Sequence, residues 1–245
     1  MSHPDRHLWL LPEDVVETFS ARLGGLAVLT AAERDGLARR LTQRAKRQFL
    51  GARMLSRYAL TERSGRLLGD WCFRRPGHGR PEPWPDAGGL RFNLSHTDGL
   101  IACVVTRGRA CGVDVERTPV RDGAQRYLTR LFAGTERAEL DTVPAHLRPA
   151  YVAAYWVLKE AYLKAIGIGL RRPLSDFAFA GLSTALAAPA TVNAARPTTV
   201  IRLRDGEQPM NGWHFDLIHP SPDHVLAVAT ENGESGLLHT VTLSS

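Results

Sequence analysis

Two stretches of this chain repeat one another. FNLSHTDGLIACVV at 92–105 and FDLIHPSPDHVLAVA at 215–229 share Phe, Leu and His in the same order. Phe92, Leu94 and His96 match Phe215, Leu217 and His219, each pair 123 positions apart (92 to 215, 94 to 217, 96 to 219). Each stretch alternates in polarity, turns, and returns as a short apolar run, which is the pattern of a β-hairpin. A long helical pattern precedes each one. Residues 44–62 carry Leu50, Met54 and Tyr58 on one stripe, and residues 149–166 carry Tyr151, Tyr155, Leu158, Tyr162 and Ile166 at helical spacing. A duplicated helix-plus-hairpin unit implies an α+β fold. The expectation is two similar lobes related by a pseudo-twofold axis, each a long helix packed on a small antiparallel sheet. The division falls near residue 118, giving an N-terminal lobe of 1–118 and a C-terminal lobe of 119–245. The match is short, and chance likeness between two amphipathic hairpins is the alternative.

The remaining punctuation is local. AIGIG closes the second long helix with glycines. A shorter helix is expected over 124–132, and another near Thr135, where TERAEL offers a cap-like Thr followed by acids. Pro and Gly cluster at 76–89, which reads as a loop, and 181–199 is an irregular Ala/Pro/Thr-rich stretch. With 44% hydrophobic and 23% charged residues the chain has an ordinary globular composition. No window approaches the ~18 to 20 apolar residues of a membrane span. The N-terminus lacks a basic region followed by an apolar core, so neither a membrane partner nor a signal peptide is expected. Cys72, Cys103 and Cys111 have no metal-type neighbour and read as free thiols of a reducing cytoplasm. A net charge of +6 points to an anionic partner, whether nucleic acid, a phosphorylated small molecule or an acidic protein, or simply to a solvated basic surface.

The two halves differ in polarity. The first hairpin has Asn93 and Ser95 where the second has Asp216 and Ile218. A cleft between symmetric lobes needs polar groups on one side only. Just after the first hairpin comes GVDVE at 112–116. On a strand, Asp114 and Glu116 face one way, ~7 Å apart, and Val113 and Val115 face the other. Paired carboxylates repel, so they either face water at a strand edge or hold a cation between them. Magnesium suits the second case, since it takes one or two carboxylates and completes its octahedron with phosphate oxygens and water. In YWVLKEAYLKAIG, Trp156, Glu160 and Lys164 form one helical row, each step rising ~6 Å. Taken alone, Glu160 and Lys164 are an ordinary i, i+4 ion pair worth ~0.3 to 0.5 kcal/mol. Ser95 and His96 in NLSH point apart on a strand, and each could reach a phosphate. Arg80 in GRP (79–81) and Arg47 at the start of the first long helix are cations able to clamp an anion. Each is equally a solvated arginine.

In this order the motifs resemble one family. A basic helix start, GRP, FNLSH, GVDVE and WVLKEAYLK are similar to the signature of the two-lobed, Sfp-like 4′-phosphopantetheinyl transferases. That signature runs roughly G-K-P, N-I/V-S-H, G-I/V-D-I/V-E and W-x-x-K-E-A/S-x-x-K. FAGTERAEL at 132–140 also resembles the family's F-x-x-x-E-x-x-x-L segment. The resemblance spans about 30–245, and its two-lobed fold agrees with the repeat. It implies transfer of 4′-phosphopantetheine from coenzyme A to a serine of an apo acyl or peptidyl carrier protein, with release of adenosine 3′,5′-bisphosphate. It further implies that Asp114, Glu116 and Glu160 hold Mg²⁺ against the pyrophosphate. Glu160 would accept the serine proton, directly or through water, and Lys164 would contact the pyrophosphate and the departing bisphosphate. Ser95 and His96 would contact coenzyme A phosphates, with Arg47 and Arg34 near the 3′-phosphate. Arg80 stands where the family commonly has Lys, which keeps the charge and alters the geometry. Lys159 is a lesser candidate for a phosphate contact, its side chain pointing ~100° away from Glu160. Arg171 and Arg172 in GIGLRRPL (167–174) are candidates to meet the carrier, since acidic carriers suit a basic enzyme. A monomer is expected, because one chain forms the whole cleft. Two other readings compete, a Mg²⁺-dependent phosphohydrolase or nuclease built on the same acids and a non-catalytic nucleic-acid-binding module. The first lacks a second full set of metal ligands. The second needs aromatics interleaved with basics, and aromatics are only 7%, so no nucleic-acid partner is expected.

Overall fold

The structure, a computed structural model, describes residues 6–74, 80–84, 86–187, 201–206, 208–231 and 238–244. In chain order the strands are β1 (Arg6–Pro12), β2 (Cys72–Arg74), β3 (Glu82–Trp84), β4 (Leu90–Thr97), β5 (Leu100–Arg107), β6 (Cys111–Arg117), β7 (Ala178–Ala180), β8 (Arg202–Asp205), β9 (Gln208–Pro209), β10 (Trp213–Ser221), β11 (His224–Glu231) and β12 (Leu238–Thr242). The helices are α1 (Val16–Arg22), α2 (Ala31–Ala38), α3 (Gln43–Ser64), α4 (Asp122–Leu131), α5 (Gly134–Thr142), α6 (Arg148–Ile166) and α7 (Leu182–Ala187).

The repeated stretches are the antiparallel hairpins β4–β5 and β10–β11. Each is flanked along its second strand by an antiparallel neighbour from earlier in the chain. β1 runs antiparallel to β5, and β6 runs antiparallel to β11. The fold is α+β, and its two main sheets have the orders β12-β1-β5-β4 and β10-β11-β6. Alternation along the strands sorts side chains into layers. Leu8, Leu10, Ala102 and Val104 of the first sheet meet Val113, Val115, Leu226 and Val228 of the second in a shared core between the sheets. The opposite face of the first sheet (Trp9, Leu11, Ile101, Cys103, Val105) packs with Met54, Leu55 and Leu60 of α3. The opposite face of the second (Phe215, Val225, Ala227, Ala229) packs with Tyr155, Leu158 and Tyr162 of α6. The order is helix, sheet, sheet, helix. The expected lobes are thus joined back to back by an apolar layer.

Chain order and sheet membership do not coincide. β6 precedes residue 118, yet its backbone pairs with β11 in the second sheet. β12, near the end of the chain, adds parallel to β1 in the first. β4 and β6, the facing edges of the two sheets, are joined through side chains instead of a backbone ladder. Val113 N–H donates to Asn93 Oδ1 at 3.0 Å, and Val115 N–H donates to Ser95 Oγ at 3.4 Å. These bonds satisfy edge amides that would otherwise be buried without partners.

Local signals hold in the main. Thr42 caps α3 by accepting from Ala45 N–H at 3.1 Å, and Gly65 in the left-handed region ends it. Gly167, at φ 76°, ends α6 where glycines were expected. Two expectations need correcting. Residue 135 does not cap α5. The cap position is Ala133, whose N–H donates to Glu136 Oε2 at 3.0 Å, so the acid of the third position does the capping alone. The 76–89 stretch is not all loop, because Glu82–Trp84 pairs with Cys72–Arg74. Residues 75–79, including Gly79 of GRP, and most of 181–199 (188–199) lie outside the described residues.

Gly112 sets the distance between α6 and β6. A Cβ there would overlap the Ala161 carbonyl oxygen and sit 2.5 Å from Ala165 N, so the helix backbone rests directly on the strand backbone. Helix backbone cannot turn aside as a flexible side chain can. Gly112→Ala is therefore expected to cost at least ~3 kcal/mol, the upper end of overpacking penalties. The urea midpoint measures it, and an unchanged midpoint would show that the helix does not bear on this residue.

Candidate active site

Gly112, Asp114 and Glu116 share the face of β6 turned to α6, with Val113 and Val115 in the core between the sheets. Because the helix backbone lies so close at Gly112, side chains of the next turns come over the two acids. Lys164 reaches across to the strand. Its Nζ donates to Asp114 Oδ1 at 2.6 Å, to Ser95 Oγ at 3.0 Å and to Val113 O at 3.2 Å. Ser95 Oγ also donates to Asp114 Oδ1 at 2.8 Å. Glu116 accepts from Thr97 Oγ1 at 3.2 Å and from the side chain of Trp156. The row Trp156, Glu160, Lys164 read from helical spacing therefore does lie against the strand acids. Lys164 pairs with Asp114 and not, as an isolated helix would have it, with Glu160.

Three carboxylates share this site with one lysine. Asp114 is only 4% exposed, while Glu116 and Glu160 are partly buried. Burial pushes the Asp114 carboxyl up, against the pull of Lys164 and Ser95. Burial and then the Asp114 charge push Glu116 up, with Thr97 and Trp156 opposing. Glu160 rises for the same two reasons, with a further push from Glu116 and a counter-pull from Lys164. The mutual effect places Glu160 within electrostatic reach of both strand acids.

The cluster offers only hard oxygen donors. Asp114 Oδ2 and Glu160 Oε1 are buried and accept no hydrogen bond. A buried anionic oxygen without a partner is costly, and a divalent cation would satisfy it. Among the described residues no three His, Cys, Asp or Glu side chains are gathered into a set that could hold a metal ion by themselves. Two protein oxygens, with the rest of the shell from elsewhere, is nevertheless the usual provision for Mg²⁺. On that test the residues fit the ion.

The other expected site residues sit around this centre or apart from it. His96 points away from Ser95 and is exposed. Its imidazole is held below the usual value by partial desolvation and by Lys164, with Arg44 adding to the effect and Glu13 and Asp114 opposing it. Glu13 Oε2 accepts the Gly99 N–H at the turn of the same hairpin, and Glu13 is paired at 3.7 Å with Arg47. Arg47 thus stands near His96 but is occupied by Glu13 and by Glu17 at 4.0 Å. Arg80 donates to Glu82 at 2.8 Å and to the Ala165 carbonyl at 3.0 Å, binding the end of α6. Arg34 donates to the carbonyls of Leu26 and Leu29. None of these three arginines bonds to the acid cluster.

Lys159 is the clearest departure from expectation. It is fully buried, paired with Glu136 at 2.9 Å, and donates to the carbonyls of Leu174 (2.7 Å) and Phe177 (2.6 Å). Glu136 in turn accepts from Phe179 N–H at 2.8 Å. The lysine faces the interior of the second half, so it cannot touch a phosphate. Phe132, Glu136 and Leu140, the repeating positions of FAGTERAEL, are all buried on that same side. The sequence reading also passed over Thr97, which follows Ser95 at the strand period of two and so shares its face, and Asn93 as a bridge to β6.

Residues 110–229 match the 4′-phosphopantetheinyl transferase superfamily (ACPS). The 4′-phosphopantetheinyl transferase HetI of a Nostoc species is 30% identical over 170 residues, 68% of this chain and 70% of that one. The chain belongs to the 4′-phosphopantetheinyl transferase superfamily. A phosphopantetheinyl transferase of a Thraustochytrium species is 27% identical over 246 residues, covering 90% of this chain and 80% of its own. The 4′-phosphopantetheinyl transferase Sfp of Bacillus subtilis is 30% identical over 94 residues, 38% of this chain and 40% of that one. The resemblance in the motifs is thereby placed within a shown relationship, and the protein is an enzyme of the transferase class. No helix among the described residues is long and apolar enough to cross a membrane.

Two outcomes follow from the placement of Lys159 and Glu160. Lys159→Met leaves Glu136 buried without its cation and is expected to cost ~3 to 5 kcal/mol in a denaturant titration. Glu160 has a folded pKa raised above its unfolded value. The native state therefore holds the extra proton, and stability falls as pH rises through that window. Glu160→Gln should accordingly melt higher than wild type at pH 8 in a chelator, with the gap closing by about pH 4, near the unfolded carboxylate value. A gap of the same size at both pH values would contradict the assignment.

Proposed function

We propose that this transferase moves 4′-phosphopantetheine from coenzyme A to a serine of an apo acyl or peptidyl carrier protein in a Mg²⁺-dependent reaction. What supports this most is a single arrangement. Asp114, Glu116 and Glu160 lie within electrostatic reach of one another and of one lysine, and a strand acid and a helix acid each keep a buried oxygen without a donor.

In this reading the serine Oγ attacks the phosphorus on the pantetheine side of the coenzyme A diphosphate. The bond from that phosphorus to the bridging oxygen breaks, and the electron pair leaves with adenosine 3′,5′-bisphosphate. Bound Mg²⁺ supplies charge neutralisation on the phosphate oxygens. Glu160 takes the serine proton directly or through a water held beside it, as a positioned carboxylate in reach of the attacking hydroxyl. Lys164, whose three N–H groups go to Asp114, Ser95 and the Val113 carbonyl, exchanges one of these acceptors for the 5′-phosphate oxygens of the leaving bisphosphate. Asp114 holds that lysine while its second oxygen is left for the ion. His96 and Arg47 lie on the side of the site toward the start of α3 and are assigned to the nucleotide phosphates of coenzyme A. Ser95 contributes chiefly by orienting Asp114 and Lys164, which occupy its hydroxyl. Arg80 and Arg34 join this assignment only by exchanging their present carbonyl partners for phosphate.

The same reading includes a division into lobes near residue 118 that β6 and β12 cross, a monomer, and a cytoplasmic place of work, where coenzyme A and the three free thiols coexist. Arg171 is exposed on the loop after α6 and is assigned to the acidic carrier, while Arg172 is partly engaged by Asp205 at 3.2 Å.

Incubation with coenzyme A, Mg²⁺ and a panel of apo carriers should add one phosphopantetheine mass to at least one carrier, read by intact mass spectrometry. Asp114→Asn should reduce that rate at least ~100-fold with little change in melting temperature, since supporting residues around metal ligands alone are worth 10- to 100-fold. Near-wild-type turnover by this variant would remove the acid from the mechanism.

A further inference from the structure

The supports of the two strand acids repeat. Asp114 is held by a hydroxyl from β4, Ser95 (2.8 Å), and by a donor from α6, Lys164 (2.6 Å). Glu116 is held by the next residue on the same face of β4, Thr97 (3.2 Å), and by another α6 donor, Trp156. Ser95 and Thr97 are two apart on a strand, as are Asp114 and Glu116. Trp156 and Lys164 are eight apart on a helix, with Glu160 midway. Three rows at their natural periods therefore build two parallel triads, each a hydroxyl, a carboxylate and a helix donor.

The second triad has work to do that the first does not. Asp114 is short, almost fully buried and ion-paired. Glu116 is longer, only partly buried, and stands next to the exposed Arg117 at the end of β6. A free Glu side chain has up to ~2 kcal/mol of rotamer entropy drawing it toward solvent. Neither donor is charged, so together they fix its direction without neutralising it. That is the arrangement wanted of a carboxylate that must keep its charge for a cation, and it is how outer partners usually orient a ligand.

We propose that Thr97 and Trp156 are positioning residues for Glu116, holding its carboxylate toward Asp114 and Glu160 so that the divalent ion is bound by a preset group. This rests on the Mg²⁺ reading above. Thr97→Val removes the hydroxyl at constant shape, Thr97→Ser restores it, and Trp156→Phe removes the indole N–H.

The measurement is Mn²⁺ binding to the full chain without coenzyme A, by the loss of the free-ion paramagnetic resonance signal. Thr97→Val and Trp156→Phe are each expected to raise the dissociation constant about 10-fold, with Thr97→Ser within twofold of wild type. Turnover by the two impaired variants should recover at high Mg²⁺, so that the apparent Mg²⁺ requirement shifts more than the maximal rate. Melting temperature in a chelator is compared in parallel. Unchanged Mn²⁺ affinity in Thr97→Val and Trp156→Phe, with wild type binding normally, would overturn this inference alone. Wild type that binds no Mn²⁺ would overturn the metal reading and the inference with it. If Thr97→Val proves unstable, Trp156→Phe decides the matter by the same titration.

Discussion

The contact between α6 and β6 at Gly112 is the constraint on which the site depends. A helix normally rides on a sheet through its side chains, several ångströms above the strand backbone. Here the strand offers no Cβ at the crossing, and the helix backbone comes down to it. The consequence is chemical. Side chains one turn to either side of Ala161 are brought level with the two strand acids, and Lys164 is close enough to bond with Asp114 and the Val113 carbonyl together. The glycine at the head of GVDVE is thus as much a part of the site as its acids.

The pseudo-twofold layout shows what makes one half a site and the other a scaffold. Cys103 and Ala227 are the fourth residues of matching eight-residue strands, and they pair with Trp9 and Asp114 respectively. Trp9 and Leu11 therefore hold, under α3, the positions that Asp114 and Glu116 hold under α6. The same surface is filled with apolar volume in one half and with carboxylates in the other. Because the facing edge strands β4 and β6 are stitched by Asn93 and Ser95, the polar half can borrow a row of hydroxyls from the apolar one. The acids are supported by both halves of the repeat, one through β4 and the other through α6.

Adjacent residues of one motif serve opposite ends. Lys159 and Glu160 are neighbours in WVLKEAYLK, yet a helix turns ~100° per residue. Glu160 comes over the strand acids, while Lys159 is buried against Glu136, two main-chain carbonyls and the rings of Phe132 and Phe177 on the inner side. A charged pair in such a place costs desolvation, and the compensating bonds make it specific to this packing. It ties α5, the loop after α6 and α6 itself together, and so keeps the outer face of the helix in register with β6.

Much was legible in the chain alone, because it depends on period. The repeat, the two long helices, the alternation of GVDVE and the row Trp156, Glu160, Lys164 all follow from steps of two or of 3.6 residues, and these are local. The clustering of Ser95, Asp114, Glu116, Glu160 and Lys164 followed once the rows were set beside each other by the family resemblance. What periodicity could not reveal is which edges meet. β1 was unmarked, although it is central to the first sheet, and β6 lies in the sheet of the opposite half. The acids that meet Lys159 and Arg47, and the Ala165 carbonyl that Arg80 reaches, come from distant segments, so a lone cation's role was open until the packing chose its partner. Sequence determined the faces that each strand and helix would show, since side-chain direction is a property of the local backbone. Only the tertiary structure decided which faces would touch, because that depends on how closely two backbones can approach, and here on a single missing Cβ.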